Sequence, residues 1–237
     1  MRRRRAPLRR NDTGLTLVEL SVSMMIIGVL SLGVGTVTVG TFRAIRIATV
    51  KISTGADARI AMETLSRPLR VAVLPSGEPA AITVGSYDAI TFYALLSRTA
   101  STATPLPTLV EFYRDAASNC LMEALTPARV LAVPVGTSLY AWDTGRSTHC
   151  VARTSQVPSA AQPWFSYYTS GQLVSGGSST VPLTVPTGGL LLSDRQNVRS
   201  VAVSLTVTDP SNPTVGGVSD EVRVTLGNVS LSSGGSA

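Results

Sequence analysis

From Leu15 to Phe42 the chain has 28 residues, of which Glu19 is the only charged one. As a helix rising about 1.5 Å per residue, this run spans roughly 42 Å, more than the ~30 Å hydrocarbon core of a bilayer. The pattern changes after Phe42. Ile45, Ala48, Ile52, Ala56 and Ile60 recur at spacings of three and four among Arg43, Arg46, Lys51, Asp57, Arg59 and Glu63, the spacing of an amphipathic helix. Pro68 disfavours helical backbone at the residue before it, so the helix is expected to end near Ser66. A continuous helix over Leu15–Ser66 has 52 residues and measures roughly 78 Å, with Gly55 as its weak point.

Beyond Pro68 the period shortens. Asp88–Leu96 and Thr108–Arg114 carry the aromatic and β-branched residues of strands and are joined by a Ser/Thr/Pro loop. Cys120–Ala124 and Arg129–Val135 predict further short strands around Pro127. After Cys150 the chain reads as loop-rich, through Pro158–Pro163 and a Ser/Gly stretch around Gly176 and Gly177. Alternation returns at Val198–Thr208 and Glu221–Leu226, which predict a hairpin with a long connection from Asp209 to Gly217. The tail from Ser232 is Ser/Gly-rich and is expected to lack fixed structure. The expected architecture is α+β: a long amino-terminal helix, membrane-spanning in its first half and amphipathic in its second, packed against an antiparallel β-rich head. The segments are 1–14, 15–42, 43–67, 68–231 and 232–237.

Charge changes this picture less than the pI of about 9.9 suggests. Arg2, Arg3, Arg4, Arg5, Arg9 and Arg10, less Asp12, give the first fourteen residues +5, leaving +1 of the chain's +6 for everything after Gly14. No basic stripe for nucleic acid remains. The two cysteines, Cys120 and Cys150, both follow the apolar segment. Export of that region predicts a disulfide between them, two free buried thiols being the alternative. The only histidine, His149, has no second Cys/His cluster to make a metal site. Beside Cys150 it reads as a surface loop residue.

Two ordinary explanations of the apolar run fall short. A secretory signal has an apolar core of about 7–15 residues and a small-x-small cleavage site; this run is about twice as long and no such site follows. A plain signal anchor accounts for the length and for the arginines, which favour a cytoplasmic amino terminus, but not for Glu19. A carboxylate inside a span costs roughly 2.5–3.5 kcal/mol on insertion scales. If the chain is cut between Gly14 and Leu15, Leu15 bears a free amine and Glu19 lies about one turn further on. The carboxylate then offsets a positive amine set against the helix dipole, or pairs with the amine of a neighbouring subunit.

The segment Gly14-Leu15-Thr16-Leu17-Val18-Glu19-Leu20, behind a short basic leader, resembles the signal of type IV prepilins and type II secretion pseudopilins. The resemblance implies cleavage by a prepilin peptidase after Gly14, methylation of the new amino terminus at Leu15, and an assembly role for Glu19. Leu15 replaces the commoner phenylalanine. The helix-kinking proline found in many members is missing before Pro68, and Gly28, Gly33, Gly35 and Gly40 either loosen the helix instead or serve close packing. The Arg59–Val73 stretch, the length and the closing pair of strands are similar to the larger J-type minor pseudopilins and their pilus counterparts. The implied partners are prepilin peptidase, other pilin or pseudopilin subunits and an inner-membrane assembly platform. The head is placed outside a cytoplasmic membrane crossed once, and reaches the periplasm or cell surface in a filament.

Nothing in the head predicts an enzyme or a cofactor. No G-x-S-x-G elbow surrounds a serine, and Ser175-Gly176-Gly177-Ser178 reads as loop rather than phosphate cradle. Asp143, Asp194, Asp209, Asp220 and Glu221 read as solvated turns before they read as calcium ligands. Trp142, Trp164, Phe165, Tyr167 and Tyr168 read as core or edge cover before they read as an adhesive patch. The function expected is that of a minor pilin or pseudopilin. A DNA-uptake pilus component and a membrane-anchored extracellular binding protein or enzyme are the alternatives.

Overall fold

The computed structural model describes residues 16–96, 105–135, 138–154, 156–169, 181–209, 212 and 215–229. Gly14, Leu15, the stretch around Gly176 and Gly177 and the tail from Ser232 lie outside them. In chain order the elements are α1 (Leu17–Arg70), β1 (Ile82–Gly85), β2 (Ala89–Ala94), β3 (Thr108–Asp115), β4 (Cys120–Pro127), β5 (Arg129–Val135), β6 (Ser138–Ala141), β7 (Ser147–Arg153), β8 (Phe165–Thr169), α2 (Leu192–Asn197), β9 (Val198–Val207) and β10 (Val218–Thr225). The chain divides into two compact units, Met1–Ala48 and Thr49–Ala237.

In the first unit every described residue, from Thr16 to Ala48, is exposed. Its helix needs no neighbour to satisfy its backbone, because the i→i−4 ladder does so internally. Thr36, Thr38 and Thr41 turn their hydroxyls onto the carbonyls of Gly33, Val34 and Val37, at 2.8–2.9 Å. These polar groups are thereby spent within the helix.

The second unit begins on the remainder of α1. Here the helix end and the helix face both differ from the sequence expectation. Pro68 lies inside the last turn, and the helix runs on to Arg70. A proline within a helix costs about 3 kcal/mol. That cost is offset by the burial of Leu65, Pro68 and Leu69 in the core, each large apolar side chain being worth about 1.5–3 kcal/mol. The helix then closes by short-range bonds, Val71 N–H to the Pro68 carbonyl and Ala72 N–H to that of Leu69, both 3.2 Å.

The face turned to the head is Thr54, Ala58, Ala61, Met62, Leu65 and Leu69. The stripe through Ile45, Ala48, Ile52, Ala56 and Ile60 is the exposed one, with Ile52 at 74% and Ile60 at 62% exposure. Both stripes have helical spacing. What selects between them is size: Ala58 and Ala61 let the backbone approach the sheets, and long Met62, Leu65 and Leu69 fill the space beside them.

The head contains a five-stranded antiparallel sheet in the order β1-β2-β3-β4-β7, a three-stranded sheet β10-β9-β8, and the hairpin β5-β6. The β2–β3 register sets Phe92 opposite Val110 and Ile90 opposite Phe112, all buried. One continuous core joins α1, β2, β3 and β4 to Trp164, Phe165 and Tyr167 and to Val201, Val203 and Leu205 of β9. Tyr167 ties the two larger sheets together, its hydroxyl donating to the Ser86 carbonyl at 2.8 Å. The segment after α1 closes onto the five-stranded sheet through Val73 N–H to the Tyr93 carbonyl at 2.9 Å.

The expected closing hairpin is present as β9–β10, in unbroken register from Val207↔Val218 to Ser200↔Thr225. Gly217 enters it where a Cβ would lie 2.7 Å from the Val207 carbonyl oxygen, so a side chain is excluded there. β1, β6, β7, β8 and α2 were not foreseen. The region after Cys150 is therefore less loop-rich than its composition implies.

The helix faces give a direct test. Leu65→Ala is expected to lower head stability by about 2–5 kcal/mol, and Ile60→Ala to change it by less than about 0.5 kcal/mol. Denaturant midpoints of the full chain in detergent measure both. Equal losses would refute the face assignment.

Candidate functional site

The sequence points to the start of α1, and the described structure begins there at Thr16. Thr16 caps the helix: its hydroxyl oxygen accepts the Glu19 backbone N–H at 3.3 Å, and its carbonyl accepts the Leu20 N–H at 3.1 Å. Thr16-x-x-Glu19 is the spacing of a capping box, a signal carried by the sequence itself. Glu19 occupies the first turn, where unbonded N–H groups and the helix dipole favour negative charge. Its residue is exposed, and among the described residues its carboxylate has no hydrogen-bond or ion-pair partner. Ser23 Oγ donates to the Glu19 carbonyl at 2.7 Å, leaving the side chain free to face a neighbour. Gly14 and Leu15 lie outside the described residues.

Behind this turn, α1 is the one helix among the described residues that is long and apolar enough to cross a membrane, and the apolar window that qualifies it is not buried at all. The helix start thus offers an exposed carboxylate on an exposed apolar rod. Among the described residues it holds no group of three His, Cys, Asp or Glu side chains that could cage a metal.

The other residues singled out by the sequence lie in the head. Cys120 on β4 and Cys150 on β7 form a disulfide, Cα–Cα 5.8 Å, closing a sequence separation of 30. The bridge fastens β7, the last strand of its sheet. His149, expected in a loop, stands on β7 directly opposite Glu123 of β4. Its Nε2 is 2.9 Å from a Glu123 oxygen, with the Glu123 side chain only 5% exposed. The strand escaped notice because Ser147-Thr148-His149-Cys150 is polar on both faces, so no alternation marks it. This pair lines a groove of about 610 Å3 with Ile60, Glu63, Thr64 and Arg67 of α1. No serine or cysteine is among the groove's lining residues.

Of the five carboxylates read as turn residues, Asp194 stands on α2 and Asp220 and Glu221 on β10, and only Asp143 and Asp209 lie outside the helices and strands. Asp143 pairs with Arg129 at 2.8 Å, and the Arg129 guanidinium holds its carboxyl below the usual carboxylate range. Asp209 accepts the Asn212 side-chain amide, and Asp220 the Glu221 N–H. Among the described residues no three His, Cys, Asp or Glu side chains are grouped to hold a metal. Three of the five aromatic residues, Trp164, Phe165 and Tyr167, are buried. Trp142 lies half-buried against Tyr93, ring centroids 4.5 Å apart. Tyr168 lies under the Arg223 guanidinium at 3.8 Å. They fill and edge the core, as read, and do not form an adhesive patch.

Opening the Cys120–Cys150 bridge is expected to cost the head about 3–4 kcal/mol on the loop-entropy model. Comparing denaturant midpoints of the wild type with and without reductant, and of Cys120→Ser/Cys150→Ser, measures this. No difference among the three would show the bridge to be idle.

Comparison with known proteins singles out the same segment. Residues 9–35 match the family described as the prokaryotic N-terminal methylation motif. No curated protein and no solved structure gives a significant match to the chain. That motif, which is consistent with type IV prepilins and pseudopilins, opens a long apolar helix, and the α+β architecture beyond it matches a pilin-like one.

Proposed function

We propose that this chain is a minor pilin or pseudopilin, cut by a prepilin peptidase after Gly14 and built through α1 into a type IV pilus-like filament. The observation that carries the proposal is the exposed Glu19 carboxylate, without a partner among the described residues, in the first turn of a helix whose large apolar side chains are exposed from Leu17 to Ile47. Cleavage creates an amine at Leu15. That amine and Glu19 of an adjacent subunit are complementary charges, and their attraction is strong in a low-dielectric surround. Such a pair sets the axial offset between neighbours while the subunits are still in the membrane.

The outward stripe of Ile52, Ala56 and Ile60 supports the same reading, because it gives the head's part of α1 a second apolar face for a neighbouring subunit. In this proposal the amino terminus is cytoplasmic before extraction, the head is extracytoplasmic, and the head packs rather than catalyses. The partners are prepilin peptidase, other subunits of the filament and a membrane assembly platform.

The test is the mature amino terminus and the fate of a charge variant. Mass spectrometry of the protein from its native host is expected to find a chain beginning at methylated Leu15. An intact Met1, or a cut beyond Phe42, would falsify the proposal. Glu19→Ala is expected to be inserted and cleaved normally but to fall at least about tenfold in filament fractions, the loss of roughly 1.4 kcal/mol or more of subunit pairing. Wild-type incorporation of Glu19→Ala would remove the role given to that carboxylate.

A further inference from the structure

From Leu20 to Phe42 there are 23 residues without a charge, about 35 Å of helix. The first polar positions after this run are cationic: Arg43 and Arg46, both exposed and one helical turn apart on α1. Centring the uncharged run on a bilayer puts its middle residue, Ser31, at the midplane. Arg43, twelve residues on, then lies about 18 Å out, and Arg46 about 22 Å out. The hydrocarbon half-thickness is about 15 Å, and the headgroups extend to about 20–22 Å. Both arginines therefore fall in the headgroup layer. Glu19, twelve residues the other way, lies about 18 Å from the midplane on the opposite side, at the edge of the hydrocarbon, within reach of a neighbour's amine.

Between Glu19 and Asp57 the sequence has no carboxylate, so the charges at this rim are all positive. Residues three apart on a helix project to the same side, about 5–6 Å apart at Cβ. Two guanidinium forks at that spacing match the oxygens of one phosphate or of two adjacent ones. Arginine is also the weakly hydrated cation suited to a half-wet layer. The six leader arginines lie on the other side of the membrane and are removed with the leader, so in the processed chain these two are the cations nearest the bilayer.

From this placement we infer that Arg43 and Arg46 form a binding site for anionic phospholipid headgroups of the extracytoplasmic leaflet. The contact holds the processed subunit at a fixed depth until extraction breaks it. This inference rests on the membrane-spanning reading of α1.

The test uses the full chain in phosphatidylcholine bilayers doped with phosphatidylglycerol, with the lipids retained by the protein quantified by mass spectrometry. Wild type is expected to retain phosphatidylglycerol above its bulk share. Arg43→Gln/Arg46→Gln is expected to lose about twenty- to thirtyfold of that preference, since each juxtamembrane cation contributes about fivefold. Arg43→Lys/Arg46→Lys is expected to keep most of it, and Arg59→Gln, about 24 Å further along the helix, all of it. The leader is common to all four and cancels. Unchanged preference in the double glutamine variant, with the chain still embedded against carbonate extraction, would overturn the inference alone. A chain that carbonate extracts would overturn the membrane reading with it. Displacement of the lipid by inorganic phosphate would assign the pair to free anions and overturn the lipid assignment.

Discussion

An apolar helix with no protein against it has to be sheathed by something other than water. Seventeen large hydrophobic side chains between Leu17 and Ile47 are exposed. At about 1.5–3 kcal/mol each, covering them is worth tens of kcal/mol, against a stability of about 5–15 kcal/mol for a typical domain. No rearrangement within the chain can outweigh that term. The segment needs an apolar surround, which a bilayer supplies, and which in the proposed function neighbouring helices supply afterwards. The few polar groups along it are disposed accordingly. Threonine hydroxyls fold back on the helix, and the charges gather at its rims.

The head meets the same constraint in the opposite way. There α1 is buried along one stripe by two sheets and keeps a second stripe outside. A single helix thus carries an apolar stretch exposed all round, a stripe buried in the core of the head, and an exposed apolar stripe beside it. Alanines occur on both stripes, and the large residues beside them differ, isoleucine on the outer stripe against Met62, Leu65 and Leu69 on the inner one. Pro68 survives in the last turn because the side chains around it are core, which lowers the local cost of a missing N–H.

The parts legible in the sequence were those with one dominant signal. The apolar run, the methylation motif and the alternating strands β2, β3, β9 and β10 were readable because each has a clear period or a fixed spacing. The helix face was misread because two stripes share the same period, and periodicity ranks neither. β7 carries no alternation because its residues are polar on both sides of a sheet edge, and β8 is only five residues long and follows the Pro158–Pro163 stretch, whose composition is that of a loop. At the helix start, attention to the carboxylate of Glu19 hid the cap formed by Thr16, although the Thr-x-x-Glu spacing was in plain view. His149 could not be placed beforehand, since its neighbour Glu123 is set by register across two strands and not by proximity along the chain.

The Cys120–Cys150 bridge has a consequence for timing. In the topology proposed here, the peptide bond after Gly14 is broken on the cytoplasmic face, while the sulfur–sulfur bond forms on the oxidising side. The two covalent changes occur more than a hundred residues apart and in separate compartments. A subunit with both has been threaded across and folded, and one lacking the second still has β7 fastened only by backbone hydrogen bonds and the His149–Glu123 contact. The chain therefore carries in its own bonds a record of which side of the membrane each part has visited, written before any filament begins to grow.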